Sequence, residues 1–290
     1  MRKKLSLYLI LSPTFIFLII FTYLPLLRSL TDSLYDSRYS VEGEKFVGLD
    51  NFYRLFDDPI FWLSLKNNLL YILLTVIPSI LLALGLALAL WENKRVNRWL
   101  RTAFFFPTII PLVSAATIWT FIFIPNLGLL DYYLAKWFGP MNTNYLGMSN
   151  SALLALSLVG IWKFAGYYML FFLAGLQAMP SSAREAAVME GASRWQIFYH
   201  ITLPLLRPTI NFVIIIALVY SITQIDHVVV MTQGGPNHAT SVMLYYIQDL
   251  TLNSHDIGKA SAATFVSLIL LFSFSIVNLR ILEKGVHYEH

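Results

Sequence analysis

Cysteine is absent from all 290 residues, which excludes disulfides, thiolate metal sites and cysteine nucleophiles within the chain. Charge is scarce. Asp, Glu, Lys and Arg make up 12% of the residues, against about 25% in a soluble globular domain. No chain this poor in charge, with a mean hydropathy of +0.64, can cover itself with a water-soluble surface. The aromatic content of 15% excludes disorder in turn. Catalytic signatures are missing as well. There is no His-Glu-x-x-His, no Gly-x-Ser-x-Gly, and the six histidines have no metal-ligand spacing. The nearest approach to a phosphate-binding loop, Asn253 to Ala260, lacks the first glycine and the final hydroxyl. No catalytic or metal-binding residue is assigned, and the chain is expected to be no enzyme.

What is present is a series of long apolar runs. A bilayer core about 30 Å thick needs roughly 20 apolar residues in a helix. Uncharged or nearly uncharged stretches lie at about 5–27, 68–91, 102–124, 152–176, 209–231 and 260–280, interrupted only by Lys163 and Asp226. The runs are continuous rather than alternating, so helices are expected rather than a barrel. The reading is an all-α polytopic protein with six transmembrane helices in a single domain over 1–290. A removable signal peptide is disfavoured, since the first run is long and ends in Tyr23-Leu-Pro-Leu-Leu-Arg28 without a small-residue cleavage site.

Orientation follows from the basic residues. Arg2, Lys3 and Lys4, then Lys94, Arg95, Arg98 and Arg101, then Arg184, Arg194 and Arg207, and finally Arg280 and Lys284 fall on one side. Both termini are therefore expected in the cytoplasm. The net charge of +4 becomes a topology signal, and nucleic acid drops out as a partner. The long outer loop, 28–66, carries spaced apolar residues from Phe46 to Phe56 that predict a short amphipathic helix. No internal repeat is visible, so six helices read as half of a transport pathway that needs a second subunit.

The connection at 179–204 is more than a turn. Ser182 with Glu185 reads as a capping box that starts a helix at Ala183. Gly191 is placed to stop that helix. Ser193 can cap a second short helix, which Pro204 is expected to terminate. The small residues Ala183, Ala186 and Ala187 would let another surface approach closely. From physics alone, an amphipathic linker resting on the membrane interface is the lesser alternative.

Glu185-Ala-Ala, three further residues, Gly191, nine residues and then Ile201-x-Leu-Pro204 resembles the EAA loop of membrane subunits of binding-protein-dependent ABC importers. Thr232-Gln-Gly-Gly-Pro236 through Thr240, Tyr245-Tyr246 and Gly258-x-Ala260-Ser-Ala-Ala are similar to carbohydrate permeases of the maltose and glycerol-phosphate type. So are the strings Val47 to Phe52 and Trp162-Lys163 … Leu176 to Pro180, and the likeness covers nearly the whole chain.

The resemblance implies the ABC importer permease fold in a bacterial-type inner membrane, moving a sugar, oligosaccharide or polyol by alternating access. It implies a second permease subunit, two ATPase subunits that bind ATP and Mg, and an extracytoplasmic solute-binding protein. No cofactor is expected in this chain. Glu185, Ala186, Ala187 and Gly191 would couple to the ATPase. Tyr167, Tyr220, Ser221 and Gln224 match positions that contact substrate in maltose-type permeases. Residue spacing adds His227 to a polar stripe on the fifth run, with Tyr220, Ser221 and Gln224; helix–helix hydrogen bonding would use the same stripe. Lys163 and Asp226 are read as a buried pair or as helix-end contacts, in preference to the alternative that Lys163 attracts an anionic substrate. A permease for glycerol-3-phosphate or another anionic derivative, and a stand-alone carrier or channel, are the alternative functions.

Overall fold

A computed structural model describes residues 11–36, 38, 45–92, 94–139 and 144–283. In chain order it contains α1 (Leu11–Asp32), the paired strands β1 (Tyr35–Asp36) and β2 (Lys45–Phe46), α2 (Asp50–Phe56) and α3 (Pro59–Leu90). Next come α4 (Arg95–Ile109), α5 (Leu112–Ile122), α6 (Leu129–Phe138) and α7 (Ser149–Gln177). The remainder is α8 (Ser181–Met189), α9 (Arg194–Ile197), α10 (Leu203–Thr223), α11 (Asp226–Met231), α12 (Met243–Leu252) and α13 (Ile257–Glu283). The strands pair antiparallel, Tyr35 opposite Phe46.

Among the described residues, five helical runs are long and apolar enough to cross a membrane: Leu11–Asp32, Pro59–Leu90, Ser149–Gln177, Arg194–Met231 and Ile257–Phe274. A sixth crossing is formed only if α4 and α5 count together, and they are bent by 99°. The sequence reads 102–124 as one span because it is uniformly apolar. The bend comes from proline chemistry. Pro107 lies inside α4, and Pro111 forces the preceding Ile110 out of the helical region, to ψ 131°.

Contacts divide the chain into two compact units. One comprises the described residues up to Trp62 together with Tyr246–Val277. Here Asn51 is fully buried and donates to the carbonyls of Ser33 and Tyr35, at 2.9 Å each. Arg54 donates to Asn51 Oδ1 and pairs with Asp256. Lys259 and the Tyr246 hydroxyl both donate to Asp58 Oδ2, at 2.5 and 2.7 Å. Gly258 lies so close that a Cβ there would meet the Tyr35 carbonyl at 2.4 Å. The short α2 helix anticipated around Phe46 to Phe56 is thus pinned by polar contacts as well as by apolar packing such as Phe52 on Phe265.

The other unit is built on Leu63–Tyr245. Its centre is α7, whose apolar window is 61% buried while no other span exceeds 33%. One apolar cluster joins Val76, Ala83 and Ala87 of α3 to Met169 and Phe172 of α7 and to Val213 and Ala217 of α10. A second gathers Tyr71, Ala116, Leu156, Val159 and Val228. Gly166 of α7 permits the closest approach: a Cβ there would lie 1.8 Å from the Phe104 carbonyl oxygen of α4.

Candidate functional site

The loop 179–204 folds as a helical hairpin, with two departures from the sequence reading. No capping box forms at Ser182. Pro180 holds the N-cap position, α8 begins at Ser181, and no side chain caps it. Pro180 is fixed in an extended conformation (ψ 126°), so the helix starts directly behind it and Ser182 lies inside the first turn. Nor does Pro204 end the second arm. It sits in the first turn of α10, where its missing N–H costs nothing, and a π-helical turn, Phe198–Thr202, carries α9 into α10 without interruption.

The glycine stop and the second cap expected in the hairpin are both formed. Gly191 adopts φ +79°, and the N–H groups of Gly191 and Ala192 bond back to the carbonyls of Val188 and Ala187, the glycine stop of a helix C-terminus. Ser193 and Gln196 form a reciprocal capping box at α9. On α8, Ala187 is buried, whereas Glu185 and Ala186 face outward beside Val188 and Met189, which are 57% and 87% exposed. The Arg184 guanidinium lies 4.4 Å from the Trp91 ring centroid, a cation–π contact that ties the hairpin to the end of α3.

Deeper in the unit, Tyr167 of α7 and Tyr220 of α10 come together, ring centroids 5.9 Å apart. Phe164 lies 5.3 Å from Tyr220 and Phe171 5.0 Å from Tyr167. Both tyrosines are half-buried. Phe164 and Phe171 belong to the same aromatic face but were not singled out from sequence, since an aromatic on an apolar helix reads as core. Helix α10 ends at Thr223, and Gln224 is extended (φ −98°, ψ 98°), which breaks the polar stripe read along the fifth run. Ser221 is buried and donates to the Leu218 carbonyl at 2.8 Å. Gln224 stays half-buried at the break. His227, on α11, turns against Tyr71 with 5.4 Å between rings.

Lys163 and Asp226 do not pair with each other among the described residues. Asp226 is exposed at the start of α11. Lys163 is 5% exposed, and its ammonium donates to the carbonyls of Pro107 (2.8 Å), Thr108 (2.9 Å) and Ile110. These are the last carbonyls of α4, left without intrahelical partners by the bend. The helix-end alternative is therefore the one formed. Trp119 and Trp162 pack edge to face, centroids 5.6 Å apart.

The Gly-Gly-Pro turn is held from several sides. Gly234 has φ +75°, and an added Cβ would lie 2.4 Å from the Tyr245 ring. Asn67 donates to the carbonyls of His238 and Ser241, and Ser64 meets Ser241 at 2.9 Å. Thr240 donates to Gly235 O at 2.7 Å. In the first unit, burial alone would raise the Asp58 carboxyl. Hydrogen bonds from Lys259 and Tyr246 outweigh it and hold the group below its ordinary value.

Long apolar spans, an exposed loop hairpin and buried charge spent on helix ends define a polytopic membrane protein. The family described as binding-protein-dependent transport system inner membrane component matches residues 80–287. The chain is 31% identical over 289 residues to the probable ABC transporter permease protein YurN of Bacillus subtilis, covering 98% of each. It is 31% identical over 287 residues to the sn-glycerol-3-phosphate transport system permease protein UgpA of Agrobacterium fabrum, covering 99% of this chain and 97% of that one. A bacterial ABC transporter involved in import of the acidic polysaccharide alginate superposes with a TM-score of 0.83 at 24% identity, over 98% and 96% of the two chains, and shares the fold. The chain belongs to the binding-protein-dependent transport system inner membrane component family. It is an ABC importer permease subunit, a transport component and not an enzyme.

Proposed function

We propose that this chain is one of two non-identical permease subunits of an ATP-driven importer for a carbohydrate or polyol, working by alternating access. The observation that carries the substrate class is the aromatic face of Tyr167, Tyr220, Phe164 and Phe171 beside the helix break at Gln224. Sugar rings stack on such faces through their C–H groups, while the tyrosine hydroxyls and a half-buried amide can bond the hydroxyls. Tyr167, Tyr220, Ser221 and Gln224 are the substrate residues of this reading. Glu185, Ala186, Ala187 and Gly191 present the hairpin to an ATPase subunit. Two such subunits bind ATP and Mg, a solute-binding protein delivers from outside, and both termini lie in the cytoplasm.

A second reading, import of glycerol-3-phosphate or a similar anion, is supported by the likeness to the glycerol-3-phosphate permease over nearly the whole chain. Against it stands Lys163, the one cation within α7, whose three ammonium protons are already directed at carbonyls. The two readings separate in one experiment. The permease pair, ATPase and cognate binding protein are reconstituted in nanodiscs, and ATPase stimulation is measured with neutral sugars, polyols and glycerol-3-phosphate. Stimulation by a neutral sugar or polyol, lost on Tyr167→Ala or Tyr220→Ala, supports the first reading; stimulation by the phosphate alone supports the second. Gradient-driven flux through this chain without an ATPase would overturn both in favour of a carrier.

A further inference from the structure

The elbow between α3 and α4 carries a cluster of cations, and the structure accounts for most of them. Arg101 donates to the carbonyls of Leu90 and Trp91, at 2.5 and 2.9 Å, closing the end of α3. Asn97 donates to the Glu92 carbonyl, and Lys94 pairs with the Glu92 carboxylate at 2.5 Å. Arg184 rests on Trp91. Two cations remain. The guanidinium groups of Arg95 and Arg98 make no hydrogen bond or ion pair among the described residues, and both side chains are exposed. They stand one helical turn apart on a backbone that the Arg101 and Asn97 contacts hold in place.

Beside them runs an apolar stripe at helical spacing. Val96, Trp99 and Phe106 are 65%, 78% and 57% exposed. A buried stripe would be core, but this one faces away from the protein, and Trp99 is the residue type that collects where a bilayer meets water. Depth can be placed by length. Gly166, against which Phe104 packs, lies near the middle of the α7 span. At 1.5 Å per residue Arg95 stands about 14 Å and Arg98 about 9 Å along α4 from Phe104. Half of a hydrocarbon core is about 15 Å, and an arginine stem lets the charge rise several ångströms further. With α4 along the membrane normal, both guanidinium groups would reach the level of the lipid phosphates.

We propose that Arg95 and Arg98, with Val96 and Trp99 alongside, bind the phosphate headgroup of an anionic phospholipid. Planar guanidinium groups one turn apart can share the phosphate oxygens, while the stripe takes the upper part of the acyl chains. The occupant is a lipid rather than a protein because Trp99 and Phe106 lie further along α4 than the two arginines, in the order of a phospholipid's own phosphate and tail. The proposal rests on α7 spanning the membrane but not on the substrate assigned above.

The test uses the assembled importer in nanodiscs of phosphatidylcholine doped with phosphatidylglycerol. In the first arm, the acyl chains of one lipid at a time are brominated and quenching of tryptophan fluorescence is read for the wild type and for Trp99→Phe. The expected result is stronger quenching by brominated phosphatidylglycerol than by brominated phosphatidylcholine, with that excess lost in Trp99→Phe. In the second arm, phospholipids retained through purification are weighed by mass spectrometry. Enrichment of phosphatidylglycerol should fall about thirtyfold in Arg95→Gln/Arg98→Gln and persist in the control Lys136→Gln. Equal quenching by the two lipids would overturn the proposal, as would full enrichment in the double variant. Retained enrichment with loss of the ATPase subunit would assign the arginines to protein docking instead. Each arm reads bound lipid directly, so its result stands whether or not the variants still transport.

Discussion

Replacing Lys163 by methionine isolates the role of its charge, because the straight apolar stem is kept and only the donors are lost. Three carbonyls at the bent end of α4, those of Pro107, Thr108 and Ile110, then have no partner. A hydrogen bond to a charged group contributes about 1.5–3 kcal/mol in soluble proteins. Two terms reduce the sum. Burying the ammonium is itself costly, and in a membrane the unfolded reference also finds partners, which brings single bonds nearer 0.6 kcal/mol. A net loss of about 3 kcal/mol follows, or roughly 6–12 °C of melting temperature for a unit of this size. Thermal melts of the purified complex measure it, and hydrogen exchange localises it to α4. Transport of the preferred solute should weaken without any change in preference between neutral and anionic solutes. A melt within a degree of the wild type, or a selective loss of anion transport, would refute the helix-end account.

Gly166→Ala places a methyl group 1.8 Å from the Phe104 carbonyl oxygen, a backbone atom that cannot turn aside; a loss of at least about 3 kcal/mol is expected, and it should be less than additive with Lys163→Met because both loosen α4 from α7. Gly191→Asp meets nothing within 4 Å, so the cost is left-handed strain of about 1–2 kcal/mol. Membrane insertion should survive while transport stops and ATP hydrolysis is uncoupled or lost, with Gly191→Asn milder; normal transport by Gly191→Asp would remove the coupling assignment. In the first unit the Asp58 carboxyl is held low in the folded state, so its stabilising effect is complete above its ordinary value of 3.8 and disappears as pH falls through the lowered one. Amide protection of α2 and the start of α13 should therefore begin to fall only as the pH drops below about 3.8 in the wild type and change less in Asp58→Asn.

The apolar runs announced the spans because a bilayer leaves a chain no other way to satisfy its backbone. Gly191 and Ser193 were equally legible, since a left-handed stop and a reciprocal cap depend only on neighbours in sequence. Ser182 misled for the same reason: the cap pattern was intact, but Pro180 had already fixed where the helix begins. Pro107 and Pro111 were visible, yet a uniformly apolar run concealed a 99° bend. Only the structure could supply Lys163's partners, which lie 53 to 56 residues away on another helix, or the joining of Arg54 to Asp256 across 202 residues. Tyr167 and Tyr220 were singled out through resemblance, but their stacking with Phe164 and Phe171 is tertiary. Aromatic residues at helical spacing carry no mark that separates a ligand face from a core.

The passage from α9 through the π-helical turn into α10 keeps the backbone helical over residues 194–223, with Pro208 inside the run. At 1.5 Å per residue it is about 45 Å long, with the hairpin at one end and Tyr220 at the other. In the proposed coupling, a tilt of the hairpin would travel along this run toward the aromatic face, less what the π-helical turn and Pro208 absorb by bending. The run ends at the extended Gln224, where any remaining rotation would be taken up. A glycine pair introduced at mid-run should therefore slacken the proposed linkage while leaving both ends folded.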